Sequence, residues 1–570
     1  MLTPDTPLDA PLDTTPDAPL DVLFAVRSAA ALHRLLDLLP VFEGDARVRC
    51  RFTLVPGSAF DVDALAAVAS SGARCLSWPE ALATRHDLIL TASPKGELGA
   101  LRGPKVLLPH GAGFNKALSA EGSPALPSGL DPAFLLAAED ERPVAALHAL
   151  AHPDQVARLA AQCPPAGATA LVAGDPTLDR ILVSVDRREA FRAALGTGAR
   201  RLVVLSSTWG PESLLARQPG LPARLAGRLP YDAYQLALVV HPNEYSRTGA
   251  FDLARQLRPA LDAGLVLAGP YEQWAALLVA GDAVVTDHGS TALYAAALDR
   301  PVLAVCDGGP ELVPGSPMAR LLAAVPRLDP SGADAAAVLA ATGSAPAGTR
   351  RFAEAAFARS GEALATLGPE LYKLLGLVPP PRPAQPRPLA GPPAAPDAPA
   401  AFAVLTRVDE DGVRIDRLPP WTDLPYHHLA AEYGRAGIRQ TQSAALLYRR
   451  AGDPEAAAGW HREYRTAADW TAEALAEHPG CRTAAAVLSP TRCLVRRPDR
   501  EPFTVRIEPH RADGRVRYTD PAVVLSAVRA WLGAHPGRPL PAAALVCRTA
   551  DTPYRFHLAP AADSELQQGI

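Results

Sequence analysis

Between about residues 20 and 375, short apolar runs alternate with stretches whose apolar positions recur at helical spacing. DVLFAV (21–26) predicts a strand and AALHRLLDLL (30–39) a helix; VRCRFTLV (48–55) predicts a strand and DVDALAAVASS (61–71) a helix. DLILTA (87–92) and KVLLPH (105–110) are further strands. Strand and helix alternating in this way predict parallel sheets covered by helices on both faces. The rhythm restarts after about 185 with RLVVLSS (201–207), YQLALVVH (234–241), AGLVLAG (263–269), DAVVTD (282–287) and PVLAV (301–305), separated by helices such as FDLARQLRPALD and EQWAALLVAG. The expectation is an α/β protein with two doubly wound, Rossmann-like lobes, 21–185 and 186–376, and a cleft between them.

Residues 377–400 break the pattern. Ten of these 24 residues are proline, which predicts a stiff, extended linker. The remaining 401–570 predict a separate α+β domain. It opens with a hairpin around Asp411-Gly412 in AVLTRVDEDGVRIDRL, continues with helices over about 427–450 and 454–478, and ends in strands mixed with the helix AVVLSAVRAWLGAH. No fixed-period repeat is present, although the helical pair is compatible with docking a protein partner. Residues 1–20, acidic and proline-rich without a basic start, read as a disordered tail and not as a signal peptide.

Composition narrows the function. The chain of 570 residues is 48% hydrophobic, enough for sizeable cores, and its net charge of −4 gives no electrostatic case for nucleic acid. Seven scattered cysteines without a CxxC pair argue against a disulfide framework or zinc site and for a reducing cytosol. No stretch has the length and freedom from charge and proline that a membrane span requires. Arginine outnumbers lysine 52 to four, a bias taken as compositional.

The candidate chemistry lies where strands end. KVLLP runs into His110-Gly111 and on to Lys116; LALVV runs into His241-Pro242; AVVT runs into Asp287-His288-Gly289-Ser290-Thr291. Ligands of open parallel sheets bind outside the carboxyl ends of the strands, so the three clusters are expected to face one cleft. Gly289-Ser290-Thr291 opens a helix, where free amides, small residues and hydroxyls suit a diphosphate; equally, Ser290 or Thr291 suits a simple N-cap. His241 suits either a ligand contact or a cap at its strand end. Asp175 and Asp179 in AGDPTLDRIL and Thr208 in SSTWG are secondary candidates, with helix capping or core packing as the alternative for that pair of segments.

In order, HGAGFNK (110–116), GDPTLD (174–179), SSTWG (206–210), His241-Pro242 and VVTDHGSTALYAAALDRPVLAV (284–305) resemble the CDP-glycerol glycerophosphotransferases that build teichoic acid polymers. The His-Pro and the Ser-Thr pair also resemble capsule polymerases that use CMP-activated sugars. The resemblance implies the two-lobed GT-B fold and transfer from a CDP-, CMP- or UDP-activated donor to a polyol or glycan hydroxyl, with no cofactor or metal required. His241, His288, Gly289, Ser290, Thr291 and Lys116 would hold the donor phosphates. His110 would be the general base and Asp287 would orient its neighbours. A lipid-linked acceptor would bring this cytosolic enzyme to the inner membrane face. The chain departs from the family at His288, where a tyrosine is usual, and at Thr177 and Gly210, where arginines are usual; its spacing from His110 to Lys116 is one residue longer. Two alternatives stand beside the transferase: a sugar-nucleotide 2-epimerase, suggested by GDPTLDR, and a non-catalytic nucleotide-sensing protein with a partner-docking C-terminal region.

Overall fold

The computed structural model describes residues 18–57, 66, 68–69, 72–109, 111–117, 127–342, 348–410, 412–452, 465–512, 514–550 and 552–570. Nearly all of the expected tail, most of the helix expected over 61–71, much of that over 454–478, and His110 lie outside the described residues.

The first lobe is built on seven parallel strands, β1 (Leu20–Val26), β2 (Val48–Leu54), β3 (Cys75–Leu76), β4 (Leu88–Thr91), β5 (Lys105–Leu107), β6 (Leu147–Leu150) and β7 (Ala170–Val172), in the order β3-β2-β1-β4-β5-β6-β7. The second has five, β8 (Arg201–Ser207), β9 (Tyr234–Val240), β10 (Val266–Leu267), β11 (Ala283–Thr286) and β12 (Val302–Ala304), in the order β10-β9-β8-β11-β12, again all parallel. Val22 to Val26 and Val203 to Leu205 are without exposure. Continuous apolar strands of this kind belong to sheets covered on both faces, as the sequence predicts. Each strand order reverses once, next to the lobe's first strand.

The helices that matter below are α1 (Ala29–Leu36), α2 (Pro176–Leu182), α3 (Pro242–Thr248), α4 (Gln273–Ala280), α5 (Thr291–Ala297), α6 (Ala363–Leu375) and α7 (Pro521–Ala534). α6 follows the second lobe in the chain yet buries Leu364, Leu367, Leu371 and Tyr372 in the core of the first. The chain therefore returns to the first lobe after building the second. The proline-rich segment after α6 is extended, as expected, but it is no free spacer. Leu389 is buried in the core of the second lobe, and its amide donates to Ser184 Oγ at 2.9 Å. Arg180 Nε donates to the carbonyl of Arg387 at 3.0 Å.

The C-terminal region closes into a barrel, a finer architecture than the α+β domain expected. Nine strands take part: β13 (Ala401–Asp409), β14 (Gly412–Leu418), β15 (His428–Glu432), β16 (Leu446–Arg450), β17 (Thr483–Ser489), β18 (Arg492–Arg497), β19 (Arg500–Ile507), β22 (Leu545–Thr549) and β23 (Thr552–Pro560). A hairpin of β20 (His510–Ala512) and β21 (Arg515–Arg517) stands outside it. α7 is buried on all sides and packs against β13, β14, β16, β17, β19 and β22, which fills the barrel interior. A helix that is apolar all round has no solvent face to offer.

The β13–β14 hairpin is as predicted. The helix expected over 427–450 is instead β15, a short helix Ile438–Ser443, and β16. Alanine-rich LAAE and AALLY favour helix locally, but both runs pair as parallel strands in the barrel wall, where burial overrides propensity. Arg417 at the end of β14 fixes the barrel to the second lobe. Its guanidinium is buried, donates to both oxygens of Asp232 at 2.8 and 2.7 Å and to Asp520 at 2.6 Å, and lies 4.2 Å from the centre of the Phe402 ring.

Candidate active site in the interlobe cleft

The reversal in the second sheet lies between β8 and β11. β8 runs into Ser207-Thr208-Trp209, and β11 into Asp287-His288-Gly289-Ser290. Asp287 is fully buried, and its carboxylate accepts three backbone N–H groups: Thr208 at 2.9 Å, Leu214 at 2.7 Å and Gly289 at 2.8 Å. Burial pushes its pKa up, against these amides and His288. Every oxygen is thus engaged in tying the two loops together. Asp287, expected among the catalytic groups as an orienting residue, holds the Thr208 amide and the two loops in place.

His241 caps α3: its Nδ1 accepts from the Asn243 amide at 3.1 Å. An imidazole that accepts at Nδ1 carries its proton on Nε2 when neutral, so Nε2 is a donor. Ser290 has helical backbone angles and caps no amide, which removes the N-cap explanation for it. It faces Gly111 of the first lobe so closely that a Cβ at Gly111 would lie 3.2 Å from Ser290 Oγ. Glycine lets the two lobes meet here.

Two cavities open on either side of this contact. One, of about 140 Å3, is lined by α1, α2, the ends of β9 and β10, and α5. The other, of about 120 Å3, is lined by the loop after β5, His148 of β6, and the ends of β8 and β11. Gly111, His241, Ser290 and Thr291 line both. The convergence expected from the sequence is therefore present for the described residues; His110, next to Gly111, lies outside them.

Lys116 and His288, expected on donor phosphates, share a carboxylate instead. Lys116 Nζ and His288 Nε2 each stand 3.0 Å from Glu311 Oε2. Lys116 also donates to the Trp209 carbonyl and lies 4.7 Å from the centre of that ring. Burial pushes His288 down despite the neighbouring carboxylates. The surrounding loops pair across the lobes, with Ala117 N donating to Glu311 O at 2.8 Å and Val313 N to Asn115 O at 2.9 Å. Both side chains still line the second cavity, with Gly289. Glu311 has no signal in the sequence beyond its place in a loop after the last strand of its sheet.

Asp175 caps α2 and is almost inaccessible; it receives both Nη groups of Arg34 at 2.7 Å and the Tyr294 hydroxyl at 3.1 Å, which joins α1 of one lobe to α5 of the other. Thr177 accepts from Arg34 at 2.8 Å, so arginine serves this site from α1 and not from position 177. Asp179 is buried; it accepts from the Gly361 and Ala363 amides and anchors the start of α6. His33 and Glu272, which no motif singles out, line the first cavity. His33 stacks on Tyr271 with its Nδ1 3.8 Å from Glu272, and His33 with Arg180 holds the Glu272 carboxyl down to about 2. His148, on the second cavity, is buried, and desolvation lowers its pKa to about 4. Among the described residues each lysine or arginine lining the two cavities has a carboxylate: Arg34 with Asp175, Arg180 with Asp37 and Glu272, Lys116 with Glu311. No metal-binding cluster occurs among the described residues, and none of their helices is long and apolar enough to cross a membrane.

No protein-family model matches the chain, and no curated protein matches it significantly. Among solved structures it is similar to the wall teichoic acid polymerase TagF, at 11% identity over 64% of this chain and 92% of that one, with a TM-score of 0.41. It is also similar to S. aureus MnaA with UDP, at 12% identity over 65% and 100% with a TM-score of 0.41. Anabaena HepE in complex with UDP-glucose matches at 16% identity over 63% and 100% with a TM-score of 0.40. Likeness at these identities and scores carries no argument about the chemistry of this chain.

Proposed function

We propose that the cleft is the site of a GT-B type transferase that moves a glycerophosphate or glycosyl unit from a CDP-, CMP- or UDP-activated donor to a hydroxyl acceptor in cell-envelope polymer synthesis. The observation that carries this reading is the meeting of His241, Ser290 and Thr291 with the Gly111 loop on the wall shared by two cavities. Donor and acceptor occupy one cavity each, and the reacting bond lies at the shared wall. The acceptor oxygen attacks the donor and the bond to the leaving phosphate breaks. The hydroxyl proton passes to an imidazole, His110 in this reading. The His241 Nε2–H and the two hydroxyls donate to the phosphate oxygens on which negative charge grows.

The test is release of CMP, CDP or UDP from a donor panel in the presence of polyol and glycan acceptors. His241→Ala and Ser290→Ala are expected to lower turnover by about 100-fold and about tenfold, the scale of losing one or more transition-state donors. Absence of release from every pairing sinks the reading. One observation favours a non-catalytic nucleotide sensor as the second reading: the described cleft cations are all neutralised, so none is left over for a leaving diphosphate. A nucleotide-dependent rise in melting temperature without turnover on any acceptor selects it.

A further inference from the structure

The second sheet has another edge, where its strands begin, and a groove of about 920 Å3 runs there between the lobe and the barrel. Arg200 and Arg201 precede or open β8, Arg300 precedes β12, and Arg188 and Arg192 come from the helix Arg188–Ala194; all five line the groove. The opposing carboxylates are fewer. Asp232 has both oxygens taken by Arg417. Asp282 serves Arg188 and Arg192 together. Asp299 remains beside Arg300, with one of its own oxygens buried and unpaired.

Part of this cluster has a structural use. Arg188, Arg192 and Arg300 donate to the carbonyls that end α4, at Val279, Ala280 and Gly281. Carbonyl partners satisfy donors without cancelling charge, and Arg300 Nε is still buried without a partner. Burial above all, with the like charges of Arg188 and Arg192, brings the Arg300 guanidinium down to about 10 against the pull of Asp282 and Asp299. Beyond the groove the β20–β21 hairpin carries Arg515, paired with Glu189 at 3.5 Å, and Arg517, whose charge acts on Tyr554 of the groove lining.

We propose that this groove binds the phosphate groups of a multiply charged ligand, at a site separate from the interlobe cleft. Guanidinium forks match phosphate oxygens two at a time, and the groove's volume of about 920 Å3 lies at the upper end of the ~300–1,000 Å3 of ordinary small-molecule sites. Free polyphosphates and the headgroups of anionic lipids share this chemistry.

The test is calorimetric titration of the full chain with tripolyphosphate, with phosphatidylglycerol vesicles and with polyglutamate, at low and raised salt. The expected result is salt-sensitive binding of tripolyphosphate that Arg300→Gln weakens about tenfold, the loss of one bidentate charged contact, and that His241→Ala leaves in place. Vesicle binding with the same dependence on Arg300, without tripolyphosphate binding, supports the groove and names the headgroup as source. Binding that His241→Ala abolishes and Arg300→Gln spares belongs to the cleft and overturns the proposal. Polyglutamate binding as tight as tripolyphosphate, or no binding of either phosphate probe, overturns it too. Should Arg300→Gln fail to fold, the hairpin pair Arg515→Gln with Arg517→Gln decides: about threefold weaker binding sustains the proposal, and unchanged binding ends it.

Discussion

The two edges of the second sheet make opposite use of charge. At the upper edge, where strands end, every described cation on the cleft is matched by a carboxylate, and the wall between its cavities presents the His241 imidazole and two hydroxyls. At the lower edge, where strands begin, guanidinium groups outnumber the carboxylates free to meet them. The cleft is therefore built for placement of neutral donors, the groove for attraction of charge. One sheet can hold both because its interior, from Val203 to Leu205, is dry and separates them.

The comparison breaks most severely at Arg417. Arg417→Ala leaves Asp232 and Asp520 facing each other across a buried gap, and urea unfolding is expected to show a loss of about 3–5 kcal/mol. Protease cleavage between lobe and barrel should rise with it; unchanged stability would mean that the barrel is held by packing alone. On the upper edge, Asp287→Ala strands three amides and is expected to cost about 2–4 kcal/mol in the same experiment. A cost under about 0.5 kcal/mol, the level of an ordinary surface change, would show that the loops do not depend on the carboxylate.

Acid separates the edges next, since arginines keep their charge while histidines gain one. His148 is lowered from its ordinary value to about 4, so the folded state holds fewer protons than the unfolded one between those limits. Its stability contribution is complete above about pH 6.5 and is lost as pH falls toward 4, on the order of 3 kcal/mol for His148 alone. His428 in the barrel, lowered to about 3, adds a second loss over an overlapping range. His148→Met should flatten part of the acid limb of a pH series of unfolding curves; an unaltered limb would contradict the burial assigned to His148. The smallest stability effect belongs to Ser290→Ala, within about 0.5 kcal/mol of the parent, because Ser290 caps nothing. A larger loss in unfolding experiments would return Ser290 to a structural role.

The two lobes were legible because buried parallel strands leave continuous apolar runs, and DVLFAV, RLVVLSS and YQLALVV are such runs. β3, β10 and β7 were harder: two or three residues carry no period, and AGLVLAG shrinks to Val266–Leu267. The convergence of Gly111, His241 and Ser290 followed from the rule that ligands sit at strand ends. Charge pairing did not follow. Glu311 and Arg34 lie far in the chain from Lys116 and Asp175, so Lys116 looked available and position 177 looked like a lost arginine. The barrel was least legible, because alanine-rich strands such as β15 carry helical propensity and only the closed wall around α7 decides between the two states.

The segment between α6 and β13 links these regions mechanically. One end follows a helix seated in the first lobe, the middle is pinned by Leu389 in the second, and the far end enters the barrel that Arg417 clamps to the sheet. A chain of prolines stretches little. Widening the cleft must therefore pull on Leu389 or shift the barrel, so the fold resists the wide hinge swing that a slack tether would allow.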